Sequence, residues 1–97
     1  MRAKLLDQVV HQPARLGILG MLRPGAEVEF RALREELELS DSSLSQHLTI
    51  LEEAGYVKIR KGAVGRRPRT WASMTRAGRD ALARYVEAIQ HLAGQTR

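Results

Sequence analysis

The sequence contains no cysteine, and this absence excludes disulfide bonds and thiolate metal sites. Aromatic residues are also scarce, with one Trp, one Phe and two Tyr among 97 residues. No run of eighteen consecutive apolar residues occurs. We therefore expect a soluble protein of the cytoplasm that neither crosses nor binds a membrane.

The motifs of catalytic sites are missing as well. The sequence has no glycine-rich phosphate loop, no nucleophile elbow and no zinc-spaced histidine pair. The nearest candidates for a metal site are Asp80, Glu87 and His91, but Asp80 and His91 are eleven positions apart. A lone histidine on a helix is usually not a ligand. We predict no enzymatic activity, no metal site and no cofactor.

Acidic residues are absent from Ala54 to Arg79, although this stretch holds eight of the sixteen Lys and Arg residues. Residues 1–53 hold six basic and nine acidic residues. The net charge of +5 therefore comes from one local cationic region. Such a region attracts nucleic-acid phosphates and gains entropy from released counterions. The charge alone would also suit an acidic protein or an anionic membrane surface.

The composition is that of a folded globular protein, with 43% hydrophobic and 28% charged residues. A chain of 97 residues is the size of one domain, and we expect residues 1–97 to form a single domain. Because small domains bury a modest fraction of their surface, covering further apolar surface with a second copy is a common way to gain stability.

Apolar spacing predicts four short elements in the first half of the chain. Residues 5–10 carry one apolar helical stripe, and a new helix begins near Pro13 because proline suits the first helical turn. Pro24-Gly25 ends that helix. Residues 27–30 alternate polar and apolar side chains like a short strand, and residues 32–37 form another short helix.

The next helix is predicted to face inward through Leu44, Leu48 and Leu51, at i, i+4 and i+7. Ser40 or Asp41 supplies its N-cap. Short or amide side chains occupy the opposite face and its flanks, and these are the predicted base contacts: Ser42, Ser43, Ser45, Gln46 and Thr49. Such side chains hydrogen-bond base edges in the major groove, with Gln46 the best candidate. A solvated helix surface is the alternative.

The cationic region is predicted to be a β-hairpin. Gly55 closes the preceding helix, residues 56–61 form one strand, Gly62 and Gly65 bracket a turn, and residues 69–75 return as the second strand. Arginines on a thin loop suit a narrow minor groove, where they lose less hydration than lysine. The predicted cationic DNA contacts are Arg60, Lys61, Arg66, Arg67 and Arg69. A solvated loop is the alternative, which the absence of acidic residues disfavours.

Thr75 is expected to cap the last helix, in which a near-heptad apolar stripe runs as far as Leu92. A stripe of that length needs a partner helix, and the terminal segment offers a second apolar surface. We therefore predict that residues 1–12 and 76–97 form dimerisation helices. The predicted dimer contacts are Leu5, Leu6, Val9, Leu82, Tyr85, Val86, Ile89 and Leu92.

Three stretches resemble the winged helix-turn-helix regulators of the MarR and ArsR type. Pro13–Leu19 looks like the first-helix signature of that family, and Leu44–Leu48 with Leu51–Val57 looks like its recognition helix and exit. Gly65–Thr70 with Met74–Gly78 is similar to the wing region of a compact MarR-like subgroup. The likeness covers nearly the whole chain. It implies a fold that is mostly α with a small β-hairpin (α+β), a three-helix core, a wing and terminal dimerisation helices.

The resemblance implies a homodimeric transcriptional regulator of double-stranded DNA, usually a repressor, with a pseudo-palindromic operator. Helix 41–54 would enter the major groove, and the wing, residues 60–70, would contact the minor groove and backbone. ArsR-type sensors often bind metal through Cys pairs, which this chain lacks, and no pocket for the phenolic effectors of larger MarR proteins is evident. Because a fold does not fix a function, a protein-interaction or RNA-binding winged helix is the alternative.

Overall fold

A computed structural model describes residues 6–94. These residues form four helices and a three-stranded antiparallel sheet. In chain order the elements are α1 (Pro13–Met21), β1 (Val28–Glu29), α2 (Phe30–Leu37), α3 (Asp41–Glu53), β2 (Val57–Val64), β3 (Arg67–Met74) and α4 (Arg76–Gly94). The predicted α+β fold, with a three-helix core and a β-hairpin, is confirmed.

The helix α1 begins at Pro13, as its sequence predicts. Oε1 of Gln12 accepts the backbone N–H of Arg15 at 2.8 Å and so caps the helix. Proline at the first helical position has no N–H that would be left without a partner. Ile18 and Leu19 point inward and are fully buried, so α1 contributes one apolar face to the core.

The segment before α1 is not helical. Residues 6–12 form turns, so the predicted helix over residues 5–10 is wrong for the part that the structure describes. The cause is Asp7, whose Oδ1 accepts the N–H groups of Val9 at 2.9 Å and Val10 at 3.3 Å. An aspartate that bonds the backbone two and three residues ahead stabilises a turn in place of a helix.

The helices α2 and α3 are joined by a three-residue turn. Glu38 ends α2 in the left-handed conformation, with φ of 52°. Ser40 then caps α3, because its Oγ accepts the N–H of Ser43 at 3.1 Å. The three leucines predicted to face inward are all buried: Leu44, Leu48 and Leu51. The orientation of α3 is therefore the predicted one.

The sheet has the strand order β1-β3-β2. The strands β2 and β3 are joined by a two-residue turn, Gly65-Arg66, which Gly65 enters with φ of 63°. The prediction that Gly62 begins the turn is wrong, because Gly62 lies within β2 opposite Arg69. A Cβ at Gly62 would lie 3.1 Å from Cζ3 of Trp71. Gly62 thus leaves room for the indole ring.

The start of α4 is fixed against the end of α3. Oγ1 of Thr75 accepts the N–H of Gly78 at 3.0 Å and donates to the carbonyl oxygen of Gly55 at 2.6 Å. The predicted N-cap is therefore confirmed. A Cβ on Gly78 would lie only 2.1 Å from the carbonyl oxygen of Tyr56. The absence of a side chain at Gly78 thus permits this close packing of helix on backbone.

All of these elements share one hydrophobic core. The apolar side chains that form it are almost completely shielded from water: Val10, Ile18, Leu19, Leu22, Leu33, Leu44, Leu48, Leu51, Val57, Ala72, Ala81 and Tyr85. They come from the N-terminal turn, from every helix and from the inner face of the hairpin. Because the core holds α3 on one side and the sheet on the other, the polar face of α3 is directed outward beside the hairpin.

Candidate nucleic-acid interface

The exposed face of α3 carries the side chains predicted to contact bases. Ser42, Ser45, Gln46 and Thr49 are exposed, and Ser43 is half-buried beside the N-cap. Hydroxyl and amide groups can both donate and accept hydrogen bonds. The face therefore offers hydrogen-bonding groups on a rigid helix, with no need for the helix to unfold or turn before they reach a partner.

A groove separates α3 from the wing. Ser45 and Thr49 line it on the helix side, while Lys61, Arg69 and Thr70 line it on the wing side. The strand register places Lys61 directly opposite Thr70. Side chains at directly opposed positions lie on the same face of a sheet. The groove is consequently bordered by hydrogen-bonding groups on both walls and by a lysine on the wing wall, and three carboxylates line it as well: Glu29, Asp41 and Glu52.

Thr70 was not among the predicted contacts, although the sequence contained a signal for it. A two-residue turn at Gly65-Arg66 requires Thr70 to lie opposite Lys61, and the wrong placement of the turn hid this pairing. Arg31 and Arg34 of α2 also line the groove and were missed. Their position depends on how α2 packs against the sheet, which no local pattern reveals.

Each of these α2 arginines has an acidic partner. Nε of Arg31 lies 3.1 Å from Glu35, and Nη1 of Arg34 lies 2.9 Å from Asp41 in the first turn of α3. The hydrogen bond to Asp41 is the main cause that raises the pKa of Arg34. The acidic first turn of α3 is thereby compensated from α2.

The wing tip, residues 64–67, is exposed throughout. Arg66 and Arg67 both reach solvent. Among residues 6–94, no acidic side chain lies within 4 Å of either guanidinium. The side chain of Val64 is also exposed, at 58%. Sequence inspection identified the arginines but not this apolar residue, which lies opposite Arg67 in the ladder.

Two other predicted cations, Arg60 and Arg69, are held at the base of the wing. Nε and Nη2 of Arg60 each lie 2.7 Å from a carboxylate oxygen of Glu27. The Arg60 guanidinium carbon also lies 4.0 Å from the centre of the Trp71 ring. The hydrogen bond from Arg60 lowers the pKa of the Glu27 carboxyl. Nε of Arg69 lies 3.0 Å from Oε1 of Glu29.

Residues 54–79 contain no acidic residue, but in the folded chain acidic side chains from β1 and the residue before it lie next to them. The strand β1 pairs with β3 and brings Glu27 and Glu29 to the base of the wing. The positions of Arg66, Arg67 and Lys61 agree with an unpaired cationic surface, whereas Arg60 and Arg69 have intramolecular partners. A role of all five cations in DNA binding stays a prediction.

His47, a half-buried residue of α3, connects this helix to the N-terminal turn through Arg15. Nη1 of Arg15 lies 3.1 Å from Nδ1 of His47, and Nε of Arg15 donates to the carbonyl oxygen of Val9 at 2.6 Å. Burial, followed by the charge of Arg15, lowers the pKa of His47. A neutral imidazole can accept the guanidinium hydrogen bond, and so Arg15 links the N-terminal segment with α3.

A second exposed surface lies on α4. Val86 is 45% exposed and Ile89 is 39% exposed, with Leu82 and Leu92 half-buried beside them. Tyr85, by contrast, is buried in the chain's own core, and its hydroxyl oxygen lies 2.8 Å from Nδ1 of His11. Tyr85 therefore does not belong to the exposed stripe.

The N-terminal dimer contacts are placed differently from the prediction. Leu6 and Val9 pack against the chain's own core from a turn, and Leu5 lies outside the described residues. Within residues 6–94, no cluster of three or more His, Asp or Glu side chains could hold a metal ion, and no helix is both long and apolar enough to cross a membrane.

A family model and a related protein each match most of the chain. The family model described as a winged helix DNA-binding domain matches residues 14–93. The uncharacterized protein MJ0432 of Methanocaldococcus jannaschii is 36% identical over 89 residues, which are 92% of each of the two chains.

Solved structures are similar over most of the chain. A transcriptional regulator homologue from Pyrococcus horikoshii OT3 has a TM-score of 0.83 and 28% identity, with 93% of this chain and 89% of that chain covered. Reduced HlyU from Vibrio cholerae has a TM-score of 0.68 and 31% identity, with 84% and 82% covered. NolR from Sinorhizobium fredii has a TM-score of 0.68 and 28% identity, with 96% and 85% covered.

The exposed polar face of α3 and the cationic wing beside it are the features that duplex binding requires. The family model covers both of them. The chain therefore belongs to the winged helix DNA-binding domain family, and it is a DNA-binding regulator and not an enzyme.

Proposed function

We propose that the protein is a homodimeric transcriptional repressor of the MarR and ArsR-like type, located in the cytoplasm, that reads a pseudo-palindromic operator. The observation that carries this proposal is the pairing of two surfaces on one small chain. Polar side chains of α3 are exposed beside cations that have no acidic partner within residues 6–94, and an apolar stripe is exposed on α4. The first surface suits DNA and the second suits another copy.

In this proposal α3 enters the major groove. Gln46 and Thr49 reach base edges, while Ser42, Ser43 and Ser45 contact bases or phosphates near the N-terminal end of the helix. The positive end of the α3 dipole lies at Ser42 and favours phosphate there. The short side chains permit close approach of the helix backbone to the DNA.

The wing extends along the DNA beside the recognition helix. Arg66 and Arg67 contact the minor groove of the DNA or the phosphates that flank it. Lys61 contacts the DNA backbone that lies between α3 and the wing. Arginine is suited to this position because its guanidinium loses less hydration than an ammonium group. Phosphate contacts set the register of the protein, and base contacts set the sequence that is read.

A second copy completes the recognition of a two-fold operator. A dimer through α4 would bury Val86 and Ile89 against their symmetry mates and relate the two recognition helices by a two-fold axis. Helices that enter successive major grooves are about 34 Å apart, which is one turn of the duplex. The operator should therefore contain two inverted half-sites roughly one helical turn apart.

Selection of bound duplexes from a random pool tests this proposal. We expect an inverted repeat with half-sites about ten base pairs apart from centre to centre. Gln46→Ala should relax the preference at one position of each half-site, at a cost of about 1 to 3 kcal/mol. Gln90→Ala, the same change at an exposed position of α4, is the matched control and should leave the selected motif unchanged.

The result that would overturn the proposal is equally definite. A pool that yields no motif, together with retention of RNA or of a protein partner in place of duplex, would support the alternative interaction module. A selected motif without two-fold symmetry would retain the DNA-binding regulator and remove the homodimer.

A further inference from the structure

The two ion pairs at the base of the wing lie in different surroundings. Arg69 lines the groove between α3 and the wing, beside Ser45 and Thr49. Arg60 is on the same face of the sheet as Arg69, stacked on Trp71 and bonded to Glu27, but it does not line that groove. The acidic partner of Arg69 is Glu29, which also lines the groove. A carboxylate is therefore present inside the proposed DNA-binding surface.

The sheet register explains why Glu29 reaches Arg69. Glu29 lies opposite Trp71, and Arg69 is two residues before Trp71 on the same strand. Such diagonal neighbours on one face of an antiparallel pair are within reach of long side chains. The side chains of Arg69 and Glu29 are only 27% and 37% exposed. Water and salt screen this pair less than they would screen a fully exposed one.

A carboxylate and a phosphate compete for the same feature of arginine. Both present paired oxygen acceptors to the planar fork of guanidinium donors. If Arg69 binds a phosphate, it must leave Glu29, and the uncovered carboxylate then faces the polyanion. DNA therefore gains less from Arg69 than it would gain from an unpaired arginine in the same place.

We propose that Glu29 is an intramolecular competitor of DNA phosphate for Arg69, and that it lowers the sequence-independent affinity of the protein for duplex DNA. The inference rests on the proposed placement of DNA along the groove between α3 and the wing. Arg66 and Arg67 supply charge at the wing tip that has no acidic partner within residues 6–94, whereas Arg69 is paired with Glu29.

The test measures binding of a random-sequence duplex by Glu29→Gln across a series of salt concentrations. Glutamine keeps the shape of the side chain and removes its charge. One additional phosphate contact should steepen the slope of log K against log salt by about 0.9 and raise the affinity about eightfold at 0.1 M salt. Thermal unfolding of the variant verifies that the fold is retained at the temperature of the assay.

Glu27→Gln is the matched control. It makes the same change of net charge near the same strand, but it releases Arg60, which lies outside the groove. We expect a small rise in affinity and no change of salt slope. Arg69→Ala leaves the Glu29 carboxylate uncovered and should lower the affinity modestly. Combined with Glu29→Gln, it should abolish the steeper salt slope that Glu29→Gln produces alone.

The possible results separate this inference from the proposed function. Equal changes for Glu29→Gln and Glu27→Gln, or a steeper salt slope that persists without Arg69, would show an effect of net charge alone and overturn the inference. A loss of affinity in Glu29→Gln would show that Glu29 positions the wing, and this too would overturn it. Neither of these results bears on whether the protein selects an operator. If Glu29→Gln steepened the salt slope but no motif were selected from the random pool, the inference would stand and the proposed recognition of an operator would be refuted.

Discussion

The two exposed surfaces of the molecule, the face of α3 with the wing and the face of α4, are built in opposite ways. On the first, buried leucines support exposed hydroxyl, amide and guanidinium groups. On the second, a helix that buries Ala81 and Tyr85 leaves Val86 and Ile89 in contact with water. The first surface suits a charged, hydrated partner. The second would be stabilised by a partner that excludes water.

The two surfaces show that exposure and charge pairing are determined separately along the sequence. The spacing of apolar residues determines which face of each helix is exposed. Whether an exposed cation is available to a partner depends on acids that are remote in sequence, such as Glu27 for Arg60. The comparison can be tested at the junction of the two surfaces and then on each of them.

The largest effect on stability is expected at Gly78, where the first turn of α4 packs against the backbone that follows α3. Gly78→Ala would place a Cβ about 2.1 Å from the carbonyl oxygen of Tyr56, and backbone cannot move aside as a side chain can. We expect a loss of about 3 kcal/mol in the free energy of unfolding, measured by urea denaturation. Gly20→Ala, which meets no atom within 4 Å, should raise stability by up to about 1 kcal/mol. Equal stability of the two variants would contradict the close packing.

The next effect is expected on the α4 surface. Val86→Glu combined with Ile89→Glu would bury charges between two copies, which is costly. We expect a monomer at micromolar concentration in analytical ultracentrifugation and a loss of about 100-fold in operator affinity, since the half-sites would bind independently. Arg84→Glu with His91→Glu alters exposed positions on another side of the same helix and should leave the dimer intact. A wild-type monomer would refute the proposed role of this surface.

A somewhat smaller effect is expected at the wing tip. Arg66→Ala with Arg67→Ala would remove two phosphate contacts, so the salt slope should fall by about 1.8 and the affinity by about 60-fold at 0.1 M salt. Fluorescence anisotropy with operator and random duplexes should show the same loss for both. Arg79→Ala with Arg84→Ala removes the same charge from exposed positions of α4, and an equal loss there would mean that net charge alone governs binding.

The smallest effect concerns the pH dependence of the α3 surface. The pKa of His47 is lowered from 6.5 by burial and by Arg15, so the unfolded chain binds a proton at a higher pH than the folded one does. The contribution of His47 to stability is therefore complete above about pH 6.5 and is lost as the pH falls toward the folded pKa. Thermal unfolding between pH 7.5 and about 5 should show this decline.

A matched pair of variants isolates the histidine responsible. His47→Gln should flatten the decline of stability, because the side chain no longer titrates. His91→Gln, at an exposed position of α4, should retain it. If the decline persisted in His47→Gln, the pH dependence would arise from another group.

Much of the interface was predictable because it depends on local pattern. Leu44, Leu48 and Leu51 fix the rotation of α3, and the exposure of Gln46 and Thr49 follows from that rotation. Pro13 and Thr75 mark helix starts through their own chemistry, which does not depend on remote residues. The family likeness added the assignment of helix and wing to the two grooves of DNA.

The remaining features could not be predicted because they depend on groups that compete or pair at a distance. The apolar stripe of residues 5–10 suits a helix, but the carboxylate of Asp7 binds the backbone and forms a turn. The sequence predicted a turn bracketed by Gly62 and Gly65, but Gly62 continues β2 beside the ring of Trp71, a contact between residues nine positions apart. The ion pair of Glu29 with Arg69 arises only when β1 joins the sheet.

The hydroxyl of Thr75 has a mechanical consequence for a two-fold assembly. Because it bonds both the carbonyl that follows the recognition helix and the first turn of α4, a tilt of one helix displaces the end of the other. In the proposed dimer, the spacing between the two α3 helices would then depend on the angle at which the two α4 helices cross. Any influence that alters this crossing angle, such as temperature or a substitution at the subunit contact, would change which duplex spacing fits.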